Sequence, residues 1–372
     1  MTVHLVGLPH TPFVAEQAYS CAYTTKAINY LKVLQAAGES VVVYWGGKTK
    51  TKDLSGATYV GLSSNAVQDK EFGHFDPTAQ PSITWGADEP RWMRHCAAAI
   101  EMLDGMAQKG DVIALWTGTP LAAVGRWARE RGFAVVEPAV GYDGVDFGNW
   151  QAYESSAWMH TVYAKYGVAQ GRWFDRVIPG YADPTQFRVL PKDPKPYVLF
   201  VGRVMTNKGP QIGESIAEAL GMRYVVAGTG AWPNEEGHIV GNGVVLKNAE
   251  FAGPVNPAQR AELMGKAALV VVPTMYIEPF GTVHIEAQMA GTPVLTSGWG
   301  AFRETVPQLV GAEMFHSIPD AVRKAHQLFD VEPAEIRERA VNRFSPVAVS
   351  DATAEWLDDV RRTVDGRGFY GS

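Results

Sequence analysis

Residues 197–228 read YVLFVGRVMTNKGPQIGESIAEALGMRYVVAG, and their pattern decides the fold. Tyr197 to Gly202 is a short apolar run of strand length. Pro210 to Leu220 follows with helical character. Pro210 suits a first helical turn, which needs no N–H from it, and Gly221 suits the position just past the end. Tyr224 to Gly228 is a second apolar run, so the segment reads strand, helix, strand.

The same alternation continues outward on both sides. Downstream lie the apolar runs Ala268 to Pro273 and Pro293 to Ser297, with a helix from Thr282 to Ala290 between them and Gly291 as its stop. Upstream, GYADPTQFRVLPKDPKP from Gly180 to Pro196 is rich in proline, aspartate and lysine and suits an exposed connection. Before it, Val3 to Leu8, Val41 to Trp45, Val112 to Trp116, Phe133 to Val136 and Val177 to Pro179 read as strands. Thr25 to Ala37 and Leu121 to Arg131 read as helices among them. Alternation of this kind predicts parallel sheets covered by helices.

A chain of 372 residues exceeds what one core usually supports. The expectation is therefore an N-terminal Rossmann-like domain over 1–184 and a second over 185–345. An amphipathic helix in 346–372 would pack back on the first domain.

Hydrophobic residues make up 46% and charged residues 19%, which excludes extended disorder. Cys21 and Cys96 form no CxxC pair and no disulfide framework. The N-terminus lacks a basic region followed by a long apolar stretch, so the expectation is a cytoplasmic protein with no transmembrane segment. The net charge is −6, and residues 1–180 hold 15 basic and 17 acidic side chains. Neither half is a basic domain, which disfavours non-specific nucleic-acid binding. A local patch from Lys48, Lys50 and Lys52 stays open.

Two segments carry candidate chemistry. The turn Gly202-Arg203-Val204-Met205-Thr206-Asn207-Lys208-Gly209 leaves a strand, enters a helix and bears two cations. A guanidinium fork, an ammonium and a helix start together suit a diphosphate, although solvated surface cations would read the same way. In Pro273 to Ala287, Glu278 and Glu286 stand eight apart. Pro279 and Gly281 rule out one helix spanning both, which puts Glu278 in a loop and Glu286 in the helix beginning near Thr282. Each carboxylate can accept paired hydroxyl hydrogen bonds. A favourable charge near a helix start is the plainer account of Glu286.

These motifs resemble the retaining glycosyltransferases of family 4. The resemblance rests on the G-R-x4-K-G turn, the E-x7-E pattern, the following Ala287 to Val294 (AQMAGTPV) and Glu304 after the loop Gly298 to Gly300. A weaker match is Val177 to Asp183, and the order holds over residues 177–345. The resemblance implies the glycosyltransferase-B architecture, two Rossmann-like doubly wound parallel-sheet domains facing a cleft. It implies a nucleotide-sugar donor of unspecified base and sugar, with Gly202, Arg203 and Lys208 at the diphosphate and Glu286 at the ribose. Glu278 would face the transferred sugar, with Glu278, Arg203 and Lys208 as the catalytic set. The backbone at Phe280, Gly281 and Thr282 would hold sugar hydroxyls and the distal phosphate. Gly228 would let the nucleotide approach closely or would be a plain turn. No Asp-x-Asp pair of the manganese-binding kind is present, so no metal is expected.

The N-terminal half departs from this pattern. Family members often carry a histidine after a central strand, where this chain has Val135-Val136-Glu137-Pro138-Ala139-Val140-Gly141-Tyr142. Glu137, Tyr142 or His160 could replace it, and His10, in the loop after the first strand, could line the site. For each the alternative is ordinary packing. The same holds for Phe147, Trp150, Tyr153, Trp158 and Tyr163, as stacking platforms or as core. The acceptor would be a glycan, a lipid-linked or a small-molecule hydroxyl. Three alternatives stay open: a phage-type DNA base glycosyltransferase, a nucleotide-sugar epimerase of the same fold, and a non-catalytic relic. The first would need Lys48, Lys50, Lys52, Arg91, Arg94, Arg126 and Arg129 to converge.

Overall fold

The computed structural model describes residues 1–17, 21–76, 78 and 83–364. The chain forms two compact units. One comprises Met1–Glu154, Met159–Pro179 and the chain from Val349; the other comprises Ser155–Trp158 and Gly180–Ala348.

The first unit holds β1 (Thr2–Val6), β2 (Ser40–Trp45), β3 (Thr58–Gly61), β4 (Val112–Leu115), β5 (Ala134–Val140), β6 (Trp150–Tyr153) and β7 (Arg176–Val177). They form one sheet in the order β3-β2-β1-β4-β5-β6-β7, with every pairing parallel. Helices Ala22–Ala36, Pro90–Met106 and Ala122–Glu130 join successive strands, as the apolar spacing predicts for the first and last. The helix Pro346–Val364 adds to this unit from far along the chain. Trp356, buried, donates its indole N–H to Phe174 O at 2.6 Å. Arg361 makes a two-pronged ion pair with Glu39, both contacts 2.7 Å.

The second unit holds β8 (Tyr197–Val201), β9 (Arg223–Ala227), β10 (Trp232–Pro233), β11 (Ile239–Gly241), β12 (Val244–Leu246), β13 (Ala249–Gly253), β14 (Leu269–Val272), β15 (Val294–Ser297) and β16 (Ala312–Phe315). Its main sheet runs β13-β9-β8-β14-β15-β16, all parallel, and β10-β11-β12 form a small antiparallel sheet. Side chains alternate across a strand. Tyr197 and Leu199 of β8 and Val270 and Val272 of β14 therefore enter one core, with Ile285 and Phe302. Val198, Phe200, Leu269 and Val271 enter the core on the opposite face, with Ile216 and Leu328. Burial of each such side chain stabilises by about 1.5–3 kcal/mol, which makes central strands the least replaceable part of the unit.

Both sheets contain a point where strand order reverses, between β1 and β4 and between β8 and β14. In open α/β sheets ligands bind beyond the strand carboxyl ends at such a point. The two are therefore the places at which to look for chemistry. Among the described residues no helix is long and apolar enough to cross a membrane.

Candidate active site

At the second unit's reversal point, β8 runs into the loop carrying Arg203 and Lys208, and β14 runs into the loop carrying Glu278. The two loops are stitched together. Met275 N–H donates to Asn207 O at 2.8 Å, and Gly209, at φ +70°, passes so close to Pro273 that a Cβ there would lie 2.1 Å from Pro273 O. The glycine is required at this crossing by both sterics and dihedral angle.

The stitching brings the charges together. Lys208 Nζ, on the single turn Thr206–Lys208, donates to Glu278 Oε2 at 3.0 Å and also to the Tyr276 hydroxyl. It stands 4.7 Å from the Tyr276 ring centre, and Thr274 Oγ1 donates to Glu278 Oε2 at 3.3 Å. Glu278 is buried, and its carboxylate is held by the cation and the hydroxyl. Arg203 is exposed and has no hydrogen-bond or salt-bridge partner among the described residues.

Past Glu278, Phe280 is buried and Gly281 turns the chain at φ +77° into the helix Val283–Met289. The backbone N–H groups of Phe280, Gly281, Thr282 and Val283 have no acceptor among the described residues. His284 is wholly buried, with Nδ1 2.5 Å from Gly281 O and Nε2 2.9 Å from Thr305 Oγ1. Burial holds its pKa down to about 4, so the ring is neutral and serves to fix this turn. Glu286 is buried; Arg260 reaches its Oε1 at 3.0 Å, while Oε2 has no partner among the described residues. Burial pushes the Glu286 carboxyl up, and Arg260 opposes that shift.

Gly202 and Gly228 meet at the ends of β8 and β9. Gly202 N–H donates to Ala227 O at 2.9 Å, and Gly228 has φ +149°. A Cβ on Gly228 would stand 1.9 Å from Gly202 O, so the chain's own backbone already requires this glycine. Glu304 accepts from Ser156 N–H at 2.8 Å and Ala157 N–H at 2.7 Å. It thereby caps the helix Ser156–Lys165.

In the first unit, His10 follows β1 at the reversal point and is buried, with Nδ1 lacking a partner among the described residues. Burial, reinforced by His95 and Arg91, lowers its pKa to about 3. The Trp85 ring lies edge-on at 5.7 Å and Phe72 at 6.2 Å. Tyr142 stands 6.3 Å from Tyr23, which in turn stands 5.5 Å from Trp85. His160 is exposed on the helix Ser156–Lys165. Phe147 and Trp150 flank the Arg172 guanidinium at 5.1 and 5.3 Å, and Tyr153 is wholly buried.

Glu137 is wholly buried, and both of its oxygens are engaged. Oε1 accepts from Asp146 N–H at 2.9 Å and Asn149 Nδ2 at 2.8 Å, and Oε2 from the Tyr142 hydroxyl at 2.9 Å. Burial raises its pKa to about 7 against the pull of these donors. A carboxyl whose folded pKa exceeds its unfolded value contributes stability that is full at low pH and is lost as pH rises through the folded value. The wild type should therefore lose on the order of 2 kcal/mol relative to Glu137→Gln between about pH 4.5 and 7. Parallel urea titrations measure that difference; equal slopes would show that Glu137 is already ionised in the fold.

Tyr276 and Arg260 carry no sequence signal of their own, and only the folded loops show them at the charged groups. Among the described residues no group of three or more His, Cys, Asp or Glu is gathered in a way that could hold a metal ion.

The family model for glycosyl transferases group 1 matches residues 183–330. An uncharacterized glycosyltransferase of Methanocaldococcus jannaschii is 32% identical over 136 residues, 35% of this chain and 35% of that protein. The D-inositol 3-phosphate glycosyltransferase of Mycolicibacterium smegmatis is 33% identical over 155 residues, 40% of this chain and 35% of that protein. The matches thus span about a third of these relatives' own length. Among solved structures, AviGT4, a glycosyltransferase involved in avilamycin A biosynthesis, superposes with TM-score 0.65 at 20% identity, covering 97% of this chain and 98% of that one. Anabaena HepE, solved with UDP and glucose, gives TM-score 0.63 at 14% identity, covering 95% and 99%. These likenesses speak to fold, and the fold they share is the two-unit parallel-sheet architecture of glycosyltransferase-B proteins. The glycosyl transferases group 1 model thus falls within the second unit, and the solved structures share the two-unit fold.

Proposed function

We propose that this protein transfers a sugar from a nucleotide-sugar donor to a hydroxyl acceptor with retention at the anomeric carbon, and that the second unit holds the donor. The observation that carries the reading is the group at the β8/β14 reversal point. There an arginine and a run of backbone N–H groups without partners among the described residues, a lysine and a buried carboxylate come from two adjoining loops. In this reading the anomeric carbon exchanges its bond to the diphosphate for one to the acceptor oxygen, and the acceptor's hydroxyl proton leaves with the diphosphate. Arg203 and Lys208 stabilise the charge that develops on the departing diphosphate, and Glu278 accepts hydroxyl hydrogen bonds from the sugar. The unpaired N–H groups at 280–283 suit phosphate and hydroxyl oxygens.

The acceptor is assigned to the first unit, as a small-molecule, glycan or lipid-linked hydroxyl. The basic side chains that a DNA acceptor would need are largely engaged with carboxylates. Lys50 and Lys52 both bind Glu16, Arg91 binds Glu89, Arg94 binds Glu71 and Arg129 binds Asp146.

A panel of nucleotide-sugars tested by thermal shift, then by mass analysis of donor hydrolysis with simple glycans and with hydroxymethylated DNA, checks the proposal. The expected result is stabilisation by one donor, of about 2.7 kcal/mol at a hundredfold excess over Kd. Proton NMR of the product should show the donor's anomeric configuration. Failure of every donor to bind would overturn the reading, and conversion of donor without acceptor would replace it by an epimerase.

A further inference from the structure

Strands β9 and β13 lie side by side and run parallel, a connection that sheets usually make with a helix. Here the connecting chain forms the antiparallel sheet β10-β11-β12 instead, and its tip turns back onto the loop that carries Arg203. Asn242 and Gly243 are the two residues between β11 and β12, at φ +46° and +77°. Two left-handed residues in a two-residue loop make a hairpin turn for which Asn-Gly is a favoured pair. That accounts for the sequence of the turn, but not for where the Asn242 side chain goes.

The amide nitrogen of Asn242 forks onto two loops at once. It donates to Val204 O at 3.0 Å and to Gly230 O at 2.9 Å, while Asn242 O accepts from Thr206 Oγ1 at 3.2 Å. Val204 and Thr206 both lie between Arg203 and Lys208, so the turn grips the segment that joins the two cations. Gly230 completes the junction. A Cβ there would lie 2.6 Å from Asn242 Nδ2 and 3.2 Å from Arg203 Cγ. The stem of Arg203 therefore rests against backbone that Asn242 holds. Its guanidinium has no hydrogen-bond or salt-bridge partner among the described residues, which leaves the backbone beneath it to set its direction.

We infer that Asn242 is a positioning residue for Arg203: the tip of the small sheet clamps the loop so that the guanidinium meets the donor diphosphate already placed. This rests on the donor reading given above. A cation on an unfastened loop has to be ordered when the diphosphate arrives, and that loss of freedom is subtracted from the affinity. A loop fixed beforehand avoids it. Asn242 touches no substrate in this role and acts through the carbonyls of Val204 and Gly230.

The test is a double-mutant cycle, with UDP, GDP and ADP as probes and Kd measured by calorimetry. Asn242→Gly keeps a residue at ease with positive φ and deletes only the fork. Asn242→Asp keeps the size and the tolerance of a left-handed backbone but has no N–H to donate. Arg203→Ala should lose roughly 10-fold or more of diphosphate affinity, the weight of a charge-assisted hydrogen bond. Each Asn242 variant should lose roughly 3–10-fold with Arg203 present, the range expected for ordering one long side chain. In the Arg203→Ala background the same change should cost less than about twofold, because the group it positions is gone. A merely structural asparagine would cost the same in both backgrounds. Equal losses in the two backgrounds, or full affinity in the Asn242 variants, would overturn the inference and leave the donor reading standing. Failure of the unaltered protein to bind any of the three diphosphates would instead overturn the donor reading itself.

Discussion

Lys208→Ala is expected to lower turnover of the nucleotide-sugar by roughly 10²–10³-fold, the usual effect of removing one preorganised donor to developing charge. The side chain has two roles that the substitution removes together. Its ammonium is the cation nearest to Glu278, and it is one of two cations assigned to the diphosphate. Without it, Glu278 keeps the Thr274 hydroxyl, a longer contact at 3.3 Å, and the Tyr276 hydroxyl. Destabilisation should be modest, about 1–2 kcal/mol, because Lys208 is partly exposed and water can reach the vacated space. Arg203→Ala isolates the other contribution, since that guanidinium has no hydrogen-bond or salt-bridge partner among the described residues. It should cost turnover with no change in melting temperature. Steady-state kinetics beside thermal melts separates the two, and turnover by Lys208→Ala within about threefold of the wild type would remove Lys208 from the proposed chemistry.

Gly228→Ala is expected to destabilise the second unit by roughly 3 kcal/mol or more and to abolish nucleotide binding with it. A methyl group there would overlap Gly202 O, 1.9 Å away, and relief requires β8 and β9 to separate at their carboxyl ends. That movement would break Gly202 N–H to Ala227 O and Val204 N–H to Thr229 O, both 2.9 Å, and would displace the loop that presents Arg203. Chemical denaturation followed by intrinsic fluorescence measures the loss. A native-like midpoint would mean that the sheet yields more easily than this contact implies.

Much of this unit was legible because its signals are local. The apolar runs that became β8, β9, β14 and β15 are short and bounded by glycine or proline, and Pro210 and Gly221 mark the helix between β8 and β9. The E-x7-E spacing was readable for the same reason, since Pro279 and Gly281 fix what lies between the glutamates. Contacts made across the fold were not legible. Tyr276 in a loop has no periodicity to announce that it meets Lys208, and Arg260 is joined to Glu286 only by helix packing. In the first unit, the stretch Trp150 to Tyr153 reads either as a source of stacking platforms or as core. It is β6, with Tyr153 wholly buried, because an aromatic-rich tetrapeptide lacks the length that distinguishes a strand from a loop. The strands β10, β11 and β12 are two or three residues each, below what alternation can reveal.

The helix Pro346–Val364 has a bearing on synthesis. Every strand of the first unit has left the ribosome once Val177 has, yet Trp356 and Arg361 are translated only after the whole of the second unit. At ~5–20 residues per second the interval is roughly 10–40 s. Through it, the Phe174 carbonyl and the Glu39 carboxylate lack the partners they have in the finished protein. The first unit is therefore completed only after the second has been made, and a premature stop shortly before Trp356 would leave Phe174 and Glu39 without these partners.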